Sequence, residues 1–159
     1  MANTQSICTS FMQELLTGMH AFGTTVTRGA TTADSFKAAL YLATATVNAT
    51  TTAYSATNEV SGTNYTAGGT AITSWNAPAT SGTAANGSGN KAYTTPTASF
   101  AWTTVTLSTA FDCCLVYNST QSNRSVGAFT FGSQTVSAGN FSLTMPTNDG
   151  TTGLIRLGS

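Results

Sequence analysis

The pattern of apolar positions changes along the chain from a helical period to a strand period. Between Ser6 and Phe22, the residues Ile7, Phe11, Leu15 and Met19 recur every four positions, which is the spacing of one face of an α-helix. From Phe36 onward, apolar and polar residues alternate in short segments that are separated by turn signals, a pattern typical of β-strands. The pattern therefore predicts one N-terminal amphipathic helix followed by a mainly β chain.

The β region divides into seven or eight predicted strands. Phe36–Leu42 alternates like a half-buried strand, whereas Phe111–Tyr117 (FDCCLVY) is apolar throughout, as in a central strand covered on both faces. The other predicted elements are a hairpin over Glu59–Ile72 with its turn at Gly68-Gly69, a strand from Ala98 to Leu107, a turn at Asn118–Asn123, and strands at Val126–Phe131, Asn140–Met145 and Leu154–Leu157. A bulge at Thr103-Thr104 is needed if Ala98, Phe100, Trp102, Val105 and Leu107 are all to point inward.

These elements predict a single domain over residues 1–159. Residues 1–23 form an arm and helix, and residues 34–159 form a two-sheet antiparallel β-sandwich, jelly-roll-like or Ig-like. The segment 77–90 contains no large apolar residue and is predicted to be a flexible surface loop. Trp75 and Tyr93 flank this loop and are candidate exposed aromatics, whereas Trp102 shares a face with Phe100 and is assigned to the core.

The amino-acid composition indicates a class of function in addition to a fold. Thirty-four of the 159 residues are Thr, only ten are charged, and the net charge is zero. A soluble monomer normally carries about a quarter charged residues. The low charge favours a protein whose surface is covered by other subunits. Five Lys and Arg are too few for a nucleic-acid interface, and no apolar run reaches the length of a membrane span or forms a signal peptide.

The residues that carry chemistry are scarce, and we predict no catalytic, cofactor-binding or metal-binding residue. His20 is the only histidine, and the spacing of the five carboxylates indicates no acid pair. Asp34 and Asp149 read as turn or capping residues. Cys113 and Cys114 are predicted to be small buried hydrophobes on opposite faces of a strand, and an inter-subunit disulfide, for example through Cys8, stays open.

Five stretches of the sequence resemble small virion proteins of tailed bacteriophages, the head decoration, cement or head fibre proteins. These stretches are CTSFMQELLTGMHAF at Cys8–Phe22, DSFKAALY at Asp34–Tyr41, TTAYSATNEVSGTNYTAGG at Thr51–Gly69, CLVYNSTQSNRSV at Cys114–Val126 and FGSQTVSAGNFSLTMP at Phe131–Pro146. They are structural motifs and specify no chemistry.

The resemblance implies a non-enzymatic protein that is made in the host cytoplasm and binds the outside of an icosahedral capsid. Its expected partners are the major capsid protein and copies of itself, as a trimer or another homo-oligomer, without nucleic acid, membrane or cofactor. Ile7, Phe11, Leu15 and Met19 are candidate contacts with a neighbouring subunit, or they pack the helix on its own domain. The alternatives are another virion component or a carbohydrate-binding adhesin, in which Trp75 and Tyr93 stack on host glycans.

Overall fold

The protein is mainly β, with two antiparallel sheets. The computed structural model describes residues 3–4, 6–7, 15, 19–23, 32–82, 89 and 91–158. The larger sheet has the strand order β1-β7-β6-β2-β3, and the smaller sheet has the order β4-β5-β8. The strands are β1 (Ser6–Ile7), β2 (Phe36–Leu42), β3 (Thr70–Ile72), β4 (Ala79–Ser81), β5 (Lys91–Thr94), β6 (Phe100–Asn118), β7 (Arg124–Leu143) and β8 (Ile155–Gly158).

A long hairpin of β6 and β7 dominates the larger sheet. The predicted turn at Asn118–Asn123 is confirmed, because β6 ends at Asn118 and β7 begins at Arg124. The two strands predicted at 126–131 and 140–145 are instead one strand of 20 residues. The Ser, Thr and Gly residues between them resemble a connection in sequence, yet they continue to pair with β6.

The predicted bulge at Thr103-Thr104 is confirmed. Trp102 pairs with Phe141 and Val105 with Gly139, so β6 has one more residue than β7 in this interval, and Thr104 takes a positive φ of 53°. The bulge changes the parity of the strand, and Phe100, Trp102, Val105 and Leu107 are therefore all buried. Ala98 precedes the strand and is exposed, so its predicted inward position is wrong.

The hairpin bends back on itself. Phe100 and Cys114 lie fourteen positions apart on β6, which is about 46 Å in a straight strand, yet both line the same cleft of about 170 Å³. The register shifts between Leu107 and Phe111 and again between Phe111 and Cys113, which locates the bend. The bend brings together the rings of Phe111, Phe131 and Phe141, whose centroids lie 5.0–5.9 Å apart.

The centre of the larger sheet is covered on both faces, as the apolar run at 111–117 predicts. Cys114 and Val116 face the main apolar cluster, and Cys113 and Leu115 face a second cluster with Tyr41 and Val47. Both cysteines are fully buried, and neither forms a disulfide. Their predicted role as small hydrophobes on opposite faces is confirmed. Cys8 lies outside the described residues.

The predicted N-terminal helix is not shown: among the described residues of this segment only Leu15 is helical, and residues 8–14 and 16–18 lie outside the described part of the chain. Ser6–Ile7 is a strand that pairs with Gly127 and Ala128 of β7, and residues 19–22 are not helical. The side chain of Asn3 donates to the Leu42 carbonyl and the Asp112 carboxylate, at 3.1 and 2.6 Å. Residues 3–4 and 6–7 therefore bind their own domain, and pairing at the sheet edge rather than the helical spacing sets the conformation of Ser6–Ile7.

Two further predictions need correction. The predicted hairpin over 59–72 does not form. Glu59 bridges to Tyr41 and Thr70–Ile72 pairs with residues 36–38, so both segments pair with β2 and not with each other. Residues 79–81 of the predicted loop are strand β4, which pairs with β5. Short stretches of Ala, Thr and Ser offer no apolar signal, and their strand conformation comes from pairing with a neighbour. Residues 83–88 and 90 of that loop lie outside the described residues.

Gly69→Ala is expected to destabilise the protein by about 1–3 kcal/mol. Gly69 has a φ of +73°, and a Cβ placed there lies 1.9 Å from the Ala38 carbonyl oxygen. The matched control is Gly132→Ala, where the nearest atom lies 4.0 Å away at the end of the Gln134 side chain. Urea unfolding of both variants checks the prediction, and equal midpoints contradict it.

Candidate functional site

The acidic side chains that the structure describes hold loops in place. Asp149 lies in the turn predicted for it, and one of its carboxylate oxygens accepts hydrogen bonds from the backbone of Thr151 and Thr152, both at 2.7 Å. These hydrogen bonds lower the pKa of the Asp149 carboxyl. Asp112 accepts from Asn3. These two carboxylates therefore act as structural acceptors, Asp149 within its own turn and Asp112 for the distant Asn3.

His20 belongs to a buried polar cluster. It is 7% exposed, and its Nδ1 lies 3.1 Å from Nδ2 of Asn118, which is fully buried at the end of β6. The same Asn118 amide donates to Asp34 at 2.8 Å, and Asp34 also accepts from the backbone of Ala21 at 3.3 Å and from Gln121 at 3.2 Å. The cluster ties residues 20–21 and 34 to the turn between β6 and β7.

Glu59 is the centre of a second buried polar cluster, which the sequence pattern does not reveal. Its side chain is 8% exposed and accepts hydrogen bonds from the hydroxyls of Tyr54 and Tyr65, at 2.6 and 2.8 Å, and from the Gly68 backbone at 2.8 Å. Tyr117 stacks on Tyr54 with a centroid distance of 4.7 Å and donates to the Gly68 carbonyl. The cluster fixes the long connection between β2 and β3.

The tyrosines around Glu59 are held in their neutral form. Burial raises the pKa of Tyr41 to about 12, and burial together with the Glu59 carboxylate also raises the pKa values of Tyr54, Tyr65 and Tyr117. A neutral tyrosine keeps its proton and donates a hydrogen bond to a carboxylate, as Tyr54 and Tyr65 do here. The arrangement is therefore that of a structural hydrogen-bond network around one carboxylate.

The candidate contact residues predicted from the helical spacing do not form one described surface. Ile7 lies in β1, and Phe11 falls outside the described residues. Leu15 and Met19 are half-buried, and Leu15 packs against the main apolar cluster of its own chain. The structure therefore assigns Leu15 to internal packing.

The prediction that Trp75 is an exposed aromatic is wrong. Trp75 is 4% exposed and contacts the rings of Phe22 and Phe36, at centroid distances of 4.9 and 5.4 Å. It flanks a polar loop in sequence, but these two aromatic rings cover it. Tyr93 is half-buried in β5, and Trp102 is buried as predicted. These positions leave no exposed tryptophan to serve as a sugar-stacking platform.

The part of the β6/β7 hairpin that lies beyond the bend from the Asn118–Asn123 turn contains no charged residue, and we call this part, residues 100–110 and 132–143, the outer half of the hairpin. None occurs between Ala92 and Phe111 or between Ser125 and Asn148, although many side chains there are exposed. Their exposed groups are hydroxyls, amides and small apolar side chains, for example at Thr103, Thr109 and Thr135. Such a surface packs against a neutral partner without desolvating an ion.

The described residues contain no group of three or more His, Cys, Asp or Glu side chains placed to bind a metal ion. Within the same part of the chain, no helix has the length and apolar character to cross a membrane. Comparisons of the chain with protein families, curated proteins and solved structures give no match.

Proposed function

We propose that the protein is a non-enzymatic virion structural protein, a β-sandwich that decorates the outside of an icosahedral phage head. The observation that carries the proposal is the exposed and charge-free outer half of the β6/β7 hairpin. A surface of this kind suits extended packing against the major capsid protein and against copies of the same chain, where burying charges is costly.

The polar clusters support a mechanical role. The described carboxylates of Asp34, Glu59, Asp112 and Asp149 all accept hydrogen bonds that fasten a turn, a loop or the N-terminal residues. Their positions favour a rigid module whose output is binding energy. Repetition of a modest interface over a symmetric shell then adds avidity.

The proposal is tested by adding the purified protein to capsids of the same phage that lack it. We expect co-sedimentation in near-stoichiometric copies, with density of this size repeated over the capsid surface in a cryo-EM reconstruction. A His20→Ala variant that retains its fold should bind equally well, because His20 has a positioning role within the domain. Density confined to the tail or fibres, or a hydrolytic activity that is lost with His20, overturns the proposal.

A further inference from the structure

Strand β7 has a long backbone edge that no described strand covers. On the side facing away from β6, β7 pairs with β1 only at Gly127 and Ala128 and forms an isolated bridge at Arg124. Beyond these positions the described residues provide no second partner strand, and most of the segment 132–143 is exposed. We call this the outer edge of β7.

The outer edge of β7 lacks most of the features that keep sheet edges apart. Soluble proteins protect such edges with charged side chains, prolines, bulges or short strands. Residues 132–143 contain no charge and no proline. One bulge is present at Ala138, which has a φ of +47° and donates its backbone N–H to the hydroxyl of Thr106. The register of β6 and β7 also shifts on both sides of the Phe111–Gln134 pair, so the edge over residues 132–137, about 20 Å along the chain, follows the bend of the hairpin.

From this edge we infer that two copies of the chain pair through residues 132–137 of β7, in an antiparallel arrangement about a two-fold axis. Such a pairing places the residues at the centre of the segment near their own counterparts, so that any charge near the axis faces a like charge. The segment Gly132–Ser137 (GSQTVS) avoids this repulsion completely. The net charge of zero adds no long-range repulsion between copies.

The other described edges suit this role less well. Strands β3 and β4 contain three residues each, and β1 contains two. Strand β8 contains four residues and includes Arg156, which a two-fold pairing brings near its own copy. On the side facing β2, strand β6 is also unpaired before Phe111, but its bridge to Thr63 at Thr106 and the bulge at Thr103-Thr104 interrupt it. The outer edge of β7 is the longest of these edges and contains no charge.

The side chain of Gln134 supports the position of the contact. Its Nε2 donates to the Gly132 carbonyl of its own strand at 3.0 Å. No residue of β6 pairs with Gly132 in the register of the hairpin, and its carbonyl takes its donor from a side chain of its own strand. Pairing with a second copy releases the glutamine amide and provides backbone donors along the edge.

Sedimentation of the full chain over a range of concentrations tests the inference. We expect a reversible dimer whose backbone amides at 132–137 exchange hydrogen more slowly as the concentration rises. Thr135→Lys should weaken dimerisation by about tenfold or more, because the two lysines lie near each other across the axis. Thr103→Lys is the matched control, since it adds the same charge to an exposed site on β6 and should leave dimerisation unchanged.

A charge-reversal pair makes the test specific to the edge. Thr135→Glu alone should be as monomeric as Thr135→Lys, and an equimolar mixture of the two variants should restore the dimer. A wild-type monomer at all concentrations, or a dimer that Thr135→Lys leaves intact, overturns the inference. The inference deepens the proposed structural role and rests on it, but the two fail separately. A monomer that decorates shells overturns only the inference, and a dimer that never binds shells overturns only the proposed function.

Discussion

Glu59→Ala is expected to lower the free energy of unfolding by about 3–5 kcal/mol. The substitution removes the acceptor for three donors, the hydroxyls of Tyr54 and Tyr65 and the backbone N–H of Gly68. Each buried donor that loses its partner costs about 1–3 kcal/mol, and the lost side-chain volume adds a cavity. Partial rehydration of the half-buried Tyr54 keeps the total below the sum of these costs.

Urea unfolding monitored by tyrosine and tryptophan fluorescence measures this effect. Glu59→Gln should retain part of the stability, because its amide oxygen still accepts a hydrogen bond while its NH₂ group faces donors. Asp149→Asn provides the control, since it changes a carboxylate of similar hydrogen-bonding capacity in an exposed turn. If the urea midpoint of Glu59→Ala lies as close to the wild-type midpoint as that of Asp149→Asn, the tyrosine cluster has no structural role.

The sequence predicts the elements whose pattern is local and fails where distant residues meet. The central strand at 111–117 and the bulge at Thr103-Thr104 follow from runs and parities within a few residues. The Glu59 cluster does not, because it depends on a connection that crosses the sheet and brings Tyr117 onto Tyr54. One signal was present: Tyr54 and Tyr65 lie five and six positions on either side of the single acidic residue in that stretch.

The two errors with the largest consequences for function have the same physical origin. Trp75 reads as exposed because polar residues follow it, but Phe22 and Phe36 pack on it from distant parts of the chain. Ile7 fits a helical spacing, yet its backbone pairs with Gly127 at a sheet edge. In both cases a tertiary contact overrides a local preference, and a single sequence carries no record of that contact.

The bend of the β6/β7 hairpin is likewise invisible in the sequence pattern. The polar stretch between Phe131 and Asn140 resembles a connection in sequence. In the structure it pairs with β6, and the register shifts between the two strands mark where the pair bends. The bend divides the hairpin, and the half beyond it has the charge-free surface. The rings that pack at the bend should therefore control the stability of the region on which both proposals depend.

Phe111→Ala is expected to destabilise the protein by about 3–5 kcal/mol, as is typical of a fully buried phenylalanine. Phe111 packs edge-on against Phe141 at 5.0 Å, from a position thirty residues away in the sequence. If the ring pair holds the two halves of the hairpin together, a double-mutant cycle with Phe141→Ala should give a coupling energy of about 0.5–1.5 kcal/mol.

Urea unfolding of the wild type, the two single variants and the double variant provides the four energies of the cycle. Leu115→Ala with Phe141→Ala is the matched control, since Leu115 is equally buried but faces the second apolar cluster on the opposite side of the sheet. That pair should be additive to within about 0.5 kcal/mol. If the stability losses of Phe111→Ala and Phe141→Ala are also additive, the contact between the two rings does not stabilise the bend. The outer half of the hairpin would then depend on β6/β7 pairing alone.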